Sequence, residues 1–304
     1  MSSDALPSVS LAAMPGRRNA TLDLAREIEK RGFSGIYSVS VSDGLGLCQM
    51  LSVATERINL GTAISNIYLR HVAEYASTAA AIEEVSGGRF RFGLGVSHAP
   101  MHKATGTKTG KPLADMRDFV ERLRRVRRVG ELPPLIVAGM RKRMVHLAGE
   151  IGDGLIFANA ARSHVPESLA ALPQSRQGDA SFIVANMVPT CICDDLAAAE
   201  AKLRSTLGFY LTLPNYRNYW KEAGYVEEMD AAEKAVAEGE AKRIPSLISD
   251  RWLKDVTLYG PASVVREGIE AWREAGVNDL IIVPSSAQGN QLTAFEELFA
   301  ALCD

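Results

Sequence analysis

Short apolar runs alternate along this chain with longer stretches whose apolar positions recur every three or four residues, the pattern of strands alternating with amphipathic helices. Residues 9–13 read as a first strand, closed by Pro15 and Gly16, and residues 19–31 as a helix with Leu22, Ala25 and Ile28 on one face. Residues 35–41 are strand-like, Leu47, Met50, Leu51 and Ala54 mark a second helical face, and residues 58–64 form a third strand. A long helix over 71–85 stops at Ser86-Gly87-Gly88.

The fourth strand is the stretch the chain is organised around. In residues 89–101, Phe90, Phe92 and Leu94 alternate with Arg91 and Gly93, so one face is apolar. Gly93 and Gly95 remove side chains where something must come close to the backbone. Ser97, His98 and His102 then gather a hydroxyl and two imidazoles at the carboxyl end of a strand, where ligands sit in parallel α/β proteins.

The alternation continues with a polar loop over 106–112, a helix over 113–129, a strand over 135–138 and a helix over 141–150. Strands over 154–158 and 181–189 and helices over 163–172 and 194–207 follow. The rhythm then breaks over about 208–251, where aromatic-rich polar sequence and an Ala/Glu/Lys helix over 227–242 replace it. A helix over 261–275, a last strand over 279–284 and a terminal helix over 292–302 resume it. Eight strand candidates, each unit taking about 30 residues, predict a (β/α)8 barrel occupying roughly 250 residues as one domain over 1–304, with an insertion over 208–251. A doubly wound open sheet is the alternative, but it requires a reversal of strand order that the sequence does not mark.

Composition changes this picture little. A net charge of −2 gives no general attraction to nucleic acid or to an anionic membrane. The five arginines between Arg122 and Arg128 spread around their helix among Asp115, Asp118, Glu121 and Glu131, as on a solvated face or a subunit contact. No apolar segment is long enough to span a bilayer, and the amino terminus lacks the pattern of a secretory signal, so a cytoplasmic protein is expected. Four scattered cysteines do not make a disulfide framework, and Cys191 and Cys193 lack the further ligands a zinc site needs, so no metal is expected.

In a barrel the β-to-α loops share one mouth, which would collect Ala13-Met14, Ser40 to Asp43, Ala63 to Asn66, Val96 to His102 and Gly139 to Arg143. The run Gly139-Met140-Arg141-Lys142-Arg143 stands at a helix amino terminus, where free N–H groups and the helix dipole favour a phosphate. The competing reading is a basic helix start that binds nothing.

Several motifs carry a resemblance. Ala54-Thr-Glu-Arg-Ile-Asn-Leu-Gly-Thr62, Tyr68-Leu-Arg-His71, Glu84-Val-Ser-Gly-Gly-Arg-Phe90 and Gly93-Leu-Gly-Val-Ser-His98 come in order, followed by Leu147-Ala-Gly-Glu-Ile-Gly-Asp-Gly154 and Gly276-Val-Asn-Asp-Leu-Ile-Ile282. As a set they resemble the bacterial luciferase-like monooxygenase superfamily, in the branch that includes coenzyme F420-dependent oxidoreductases. The resemblance implies a (β/α)8 barrel with a late insertion, a homodimer, and FMN or a deazaflavin in the barrel mouth. It implies a non-prolyl cis peptide at Ala63-Ile64 supporting the ring, Val96, Ser97 and His98 lining the cofactor, and Val137, Ala138 and Gly139 in the phosphate loop. Met140, Arg141 and Arg143 extend that loop as cofactor-binding candidates. His71 is expected to be structural, because the proline that follows it in the family is Val72 here.

One departure matters more. Deazaflavin-dependent sugar-phosphate dehydrogenases of the superfamily carry Asp-His near the end of the second strand, and here Ser40-Val41 aligns there, with Asp43 two residues on. His98 and Asp43 are therefore the catalytic candidates, since an imidazole near its ordinary pKa suits acid/base work. Three functions are consistent with the sequence: coenzyme F420-dependent hydride transfer to a small organic substrate, an FMN-dependent monooxygenase using O2 and a flavin reductase partner, or a non-catalytic flavin-binding scaffold. Lys103, Lys108 and Lys111 favour the first, given the acidic oligoglutamate tail of that coenzyme.

Overall fold

A computed structural model describes residues 5–39 and 43–303. These residues form two compact units, one holding the described residues up to Ile156 together with 171–185, the other 157–170 with 186–303. The principal strands are β1 (Ser8–Leu11), β2 (Gly35–Val39), β3 (Asn59–Ala63), β5 (Phe90–Gly95), β6 (Leu135–Ala138), β7 (Gly154–Ala158), β8 (Ile183–Ile192) and β10 (Asp279–Pro284). Two short strands, β4 (Ser65–Asn66) and β9 (Leu258–Gly260), are additions to this set. A helical segment follows each principal strand, with β4 intervening after β3, and the fold is a (β/α)8 barrel.

In the first unit β1, β2, β3, β5, β6 and β7 pair in chain order and all in parallel, so no reversal of order exists there and the doubly wound alternative is excluded. Tyr37 stands opposite Gly61, Gly61 opposite Arg91, and Gly93 opposite Ile136. In the second unit β8 pairs with β9 in parallel, Thr190 opposite Leu258.

The period-two pattern of the focal strand sorts as its residues require. Phe90 and Phe92 stack at 5.7 Å, and Tyr75 of the helix Val72–Ser86 packs on Phe92 and on Phe119 of the helix Pro112–Arg125. All four rings are buried, each removing enough apolar surface from water to contribute about 1.5–3 kcal/mol. The opposite face carries Arg91, whose guanidinium donates to the Tyr37 hydroxyl at 3.3 Å, and the two glycines.

At their amino ends three successive strands are held by carboxylates. Glu29 accepts the amide hydrogens of Glu56, Arg57 and Ile58 at 2.7–2.9 Å just before β3 begins. Burial pulls its carboxyl upward, but the amides of Arg57, Ile58 and Glu56 outweigh that and hold it below its ordinary value. Glu83 accepts from the Phe90 amide and Asp153 from the Leu135 amide. Arg89 closes the same end by donating to the carbonyls of Ser86, Ile58, Thr55 and Ser52.

Residues 208–251 are helical, as the loss of strand rhythm predicts. The helices Pro214–Glu222, Val226–Ala237, Ile244–Leu247 and Asp250–Val256 follow the end of Leu196–Leu211. Their aromatic residues make a core: Tyr216 packs on Trp220 and Trp220 stands edge-on to Trp252 at 4.8 Å, with both indoles fully buried. The Ala/Glu/Lys helix is shorter than its composition suggests, because Gly239 at φ 76° ends it and a 3-10 turn over Ala241–Arg243 replaces the last turn.

Candidate functional site

At the carboxyl end of β5 the backbone leaves the sheet through Ser97, whose φ of 56° lies in the left-handed region. His98 precedes a helix, Ala99–Thr105, none of whose side chains is buried. Sequence periodicity misses this helix for that reason: with no buried face it leaves no apolar stripe. The loop is closed by polar contacts instead. Nε2 of His102 lies 2.7 Å from the Val96 carbonyl, the His102 amide donates to the His98 carbonyl, and the Thr107 amide to the His102 carbonyl. The His102 ring meets Tyr68 edge-on at 5.4 Å, and the Tyr68 hydroxyl donates to Asp115, which also accepts the Gly110 amide. Burial, and then the neighbouring His102, lower the pKa of His98 below its ordinary value.

Beside this loop the glycines of β5 admit a close approach. A Cβ on Gly93 would lie 1.8 Å from the Thr62 carbonyl, and a Cβ on Gly95 would meet the Ile64 side chain at 2.7 Å and Ala138 at 3.3 Å. Ile64 therefore lies over the bare backbone of Gly95, next to Ala138. The Ala63-Ile64 peptide is cis, as the resemblance implies. The structure thus brings Ile64, Ala138 and the exit from β5 toward Val96, Ser97 and His98 together. Val137 points its fully buried side chain to the other face of β6, leaving only its backbone for any ligand.

After β6, Gly139 and Met140 lead to Arg141 at the cap of the helix Lys142–Ile151. This helix has no side-chain hydrogen bond at its cap and no acidic residue in its first turn, so nothing acidic of its own answers its amino-terminal N–H groups. Lys142 and Arg143 line a groove of about 610 Å³ with Leu113, Arg117, His146 and Glu150, on the helix faces rather than at the strand ends.

Asp43 is placed differently from an acid/base group. Its Oδ1 caps the helix Gly44–Ala54 through the Gly46 amide and accepts from Arg70 at 2.6 Å. Ser40 and Val41, the aligned position of the family histidine, lie outside the described residues. His71 caps the helix Val72–Ser86 by accepting from the Ala73 amide, a structural role.

The second unit contains a connection of another kind. After β7, Asn159 at φ 58° begins a buried turn whose amides go to side chains: Ala160 to Asn186, Ala161 to the Tyr219 hydroxyl and Ser163 to Asp255. Asp255 also accepts from the Ser163 and Tyr225 hydroxyls, and Trp220 donates its indole N–H to the Asn159 carbonyl. The sequence reading missed this network and that of Tyr68 and Asp115, whose partners lie 26 to 92 positions apart. Tyr68 does sit in one of the motifs carrying the resemblance, the one local signal available.

Comparison with known proteins bears on this geometry. A putative coenzyme F420-dependent oxidoreductase of Mycobacterium tuberculosis is 24% identical over 91% of this chain and 93% of its own. The coenzyme F420-dependent tetrahydromethanopterin reductase of Methanopyrus kandleri superposes with a TM-score of 0.76 at 17% identity, over 97% of each chain. An F420-dependent secondary alcohol dehydrogenase in complex with an F420-acetone adduct superposes with a TM-score of 0.73 at 17% identity, over 98% of this chain and 100% of that one. At those identities the two structures speak for the fold. Residues 5–279 match the model of the luciferase-like monooxygenases, and the chain belongs to that family.

Proposed function

We propose that this protein is an oxidoreductase that binds coenzyme F420 in the mouth of its first unit and transfers a hydride between it and a small organic substrate. The observation that carries the reading is the meeting of Ile64, Gly95 and Ala138 beside Val96, Ser97 and His98: small residues and one aliphatic side chain next to a hydroxyl and an imidazole. The F420-dependent relatives support the choice of cofactor.

These residues fit such a group. Gly95 and Ala138 leave space that Ile64 enters, and Ala63 and Ile64 would back a flat ring. The amino terminus of the helix Lys142–Ile151, reached through Gly139 and Met140, has no side-chain hydrogen bond at its cap and would present N–H groups and a positive dipole end to a phosphate, with Arg141 at the cap. When bound, the deazaflavin ring supplies the hydride chemistry. The protein orients it and keeps water out, and His98, whose pKa burial lowers, is suited to accept a proton from a substrate hydroxyl rather than to give one. Asp43, held by its cap and by Arg70, is the lesser candidate for that task.

The test is titration of the purified protein with coenzyme F420 and, separately, with FMN, following ring fluorescence. Saturable binding of F420 alone is expected, and Arg141→Glu should weaken it at least about tenfold, or about 1.4 kcal/mol. Binding of FMN alone would move the assignment to the monooxygenases of the family, and binding of neither would leave a scaffold.

A further inference from the structure

We propose that His102 is a positioning residue: the hydrogen on its Nε2, donated to the Val96 carbonyl, fixes the turn that presents Ser97 and His98 at the mouth of the first unit. A carbonyl oxygen only accepts, so at 2.7 Å the ring nitrogen facing it carries the hydrogen. His102 grips the turn twice, since its amide donates to the His98 carbonyl at 3.1 Å while its ring holds the carbonyl of Val96. Ser97 lies between those two carbonyls, in a left-handed conformation that a non-glycine residue keeps only when its surroundings impose it.

Packing does not impose it here. The helix Ala99–Thr105 buries no side chain, and Met101, its one large apolar residue, is 39% exposed. A short polar chain ties the segment to the body, running from Val96 through the His102 ring to the edge of Tyr68, then by hydroxyl to Asp115 and the Gly110 amide. Within that chain His102 alone touches both the strand exit and the body. Its ring is thereby committed, which separates its task from that of His98, the neighbour whose imidazole it also discourages from taking up a proton. The consequence for turnover rests on the oxidoreductase reading; the positioning itself does not.

Two variants test it. His102→Leu keeps bulk and loses the donor, whereas His102→Gln carries an amide N–H to a comparable reach. Hydrogen exchange of the peptides over 96–107, read by mass spectrometry, should quicken about tenfold or more in His102→Leu with the global unfolding midpoint nearly unchanged, and return to within about threefold of the parent in His102→Gln. The ring resonances of His98 in 15N-histidine-labelled protein should shift in the leucine variant and be restored in the glutamine one. Exchange at the parental rate in His102→Leu, or a glutamine variant as loose as the leucine one, would overturn the proposal. If the parent binds neither F420 nor FMN while the exchange and resonance pattern appears, the positioning role is supported and the oxidoreductase reading falls. If F420 binds, turnover lost in the leucine variant should be recovered by glutamine.

Discussion

The connection after β5 and the connection after β7 leave equivalent places in a strand-helix repeat, yet they are stabilised by opposite means. After β5 the chain runs through a half-exposed turn and a helix with no buried face, held by His102, Tyr68 and Asp115. After β7 it is buried at Asn159, Ala160 and Ala161, and side chains from distant elements take its amides one after another. A connection held by few polar bonds can open at small cost and respond to what binds there. One most of whose backbone donors are answered from within a core is part of the core. The segment 208–251, which supplies Tyr219, Trp220 and Tyr225, together with Asp255 just after it, is accordingly a structural element of its unit.

The largest effect should come from breaking the second connection. Asp255→Ala removes the acceptor of Ser163 and Tyr225 in a buried setting and should destabilise the protein by about 3 kcal/mol or more, read as a lowered urea midpoint. Unchanged stability would mean that the two connections do not differ as described. Next in size is a change at the first connection that spares the fold. His98→Asn should cut turnover about 100-fold with cofactor affinity nearly constant, because asparagine cannot take up a proton. In the parent, activity should be present above the pKa of His98 and fade as pH falls through it, at a value below 6.5, since protonation removes the acceptor. A rate that survives while affinity drops would make His98 a binding residue. The smallest effect is expected from Tyr68→Phe. Loss of its bond to Asp115 should cost about 1 kcal/mol, visible as faster exchange over 106–112 without a matching shift in global unfolding.

The sequence made some parts of this molecule plain and hid others for physical reasons. Strands β6 and β7 match their expected residues end to end, because four or five consecutive apolar residues between turn signals have few other folds. The expected helix over 163–172 instead divides into a 3-10 turn at Arg162–His164 and the short helix Val165–Leu169, with Pro166 in its first turn. Strands β4 and β9 are too short to show a period. The motifs that carry the family resemblance are legible because they are local, and much of what they build lies away from the candidate site: Thr55 to Ile58 and Arg89 tie strand amino ends to Glu29 and to one another. The approach of Ile64 and Ala138 to the bare backbone of Gly95 depends on the register of three strands, which no single segment encodes.

The carboxylates at the strand amino ends have a further consequence. Glu29, Glu83 and Asp153 secure the entry to β3, β5 and β6 with bonds that involve no residue of the loops at the opposite ends. Register is thus anchored at one pole of each strand, while the candidate site lies at the other. Mutations can accumulate in the loops, lengthening or retuning them for a new ligand, without loosening the frame that carries them. Such a division makes the scaffold tolerant to drift.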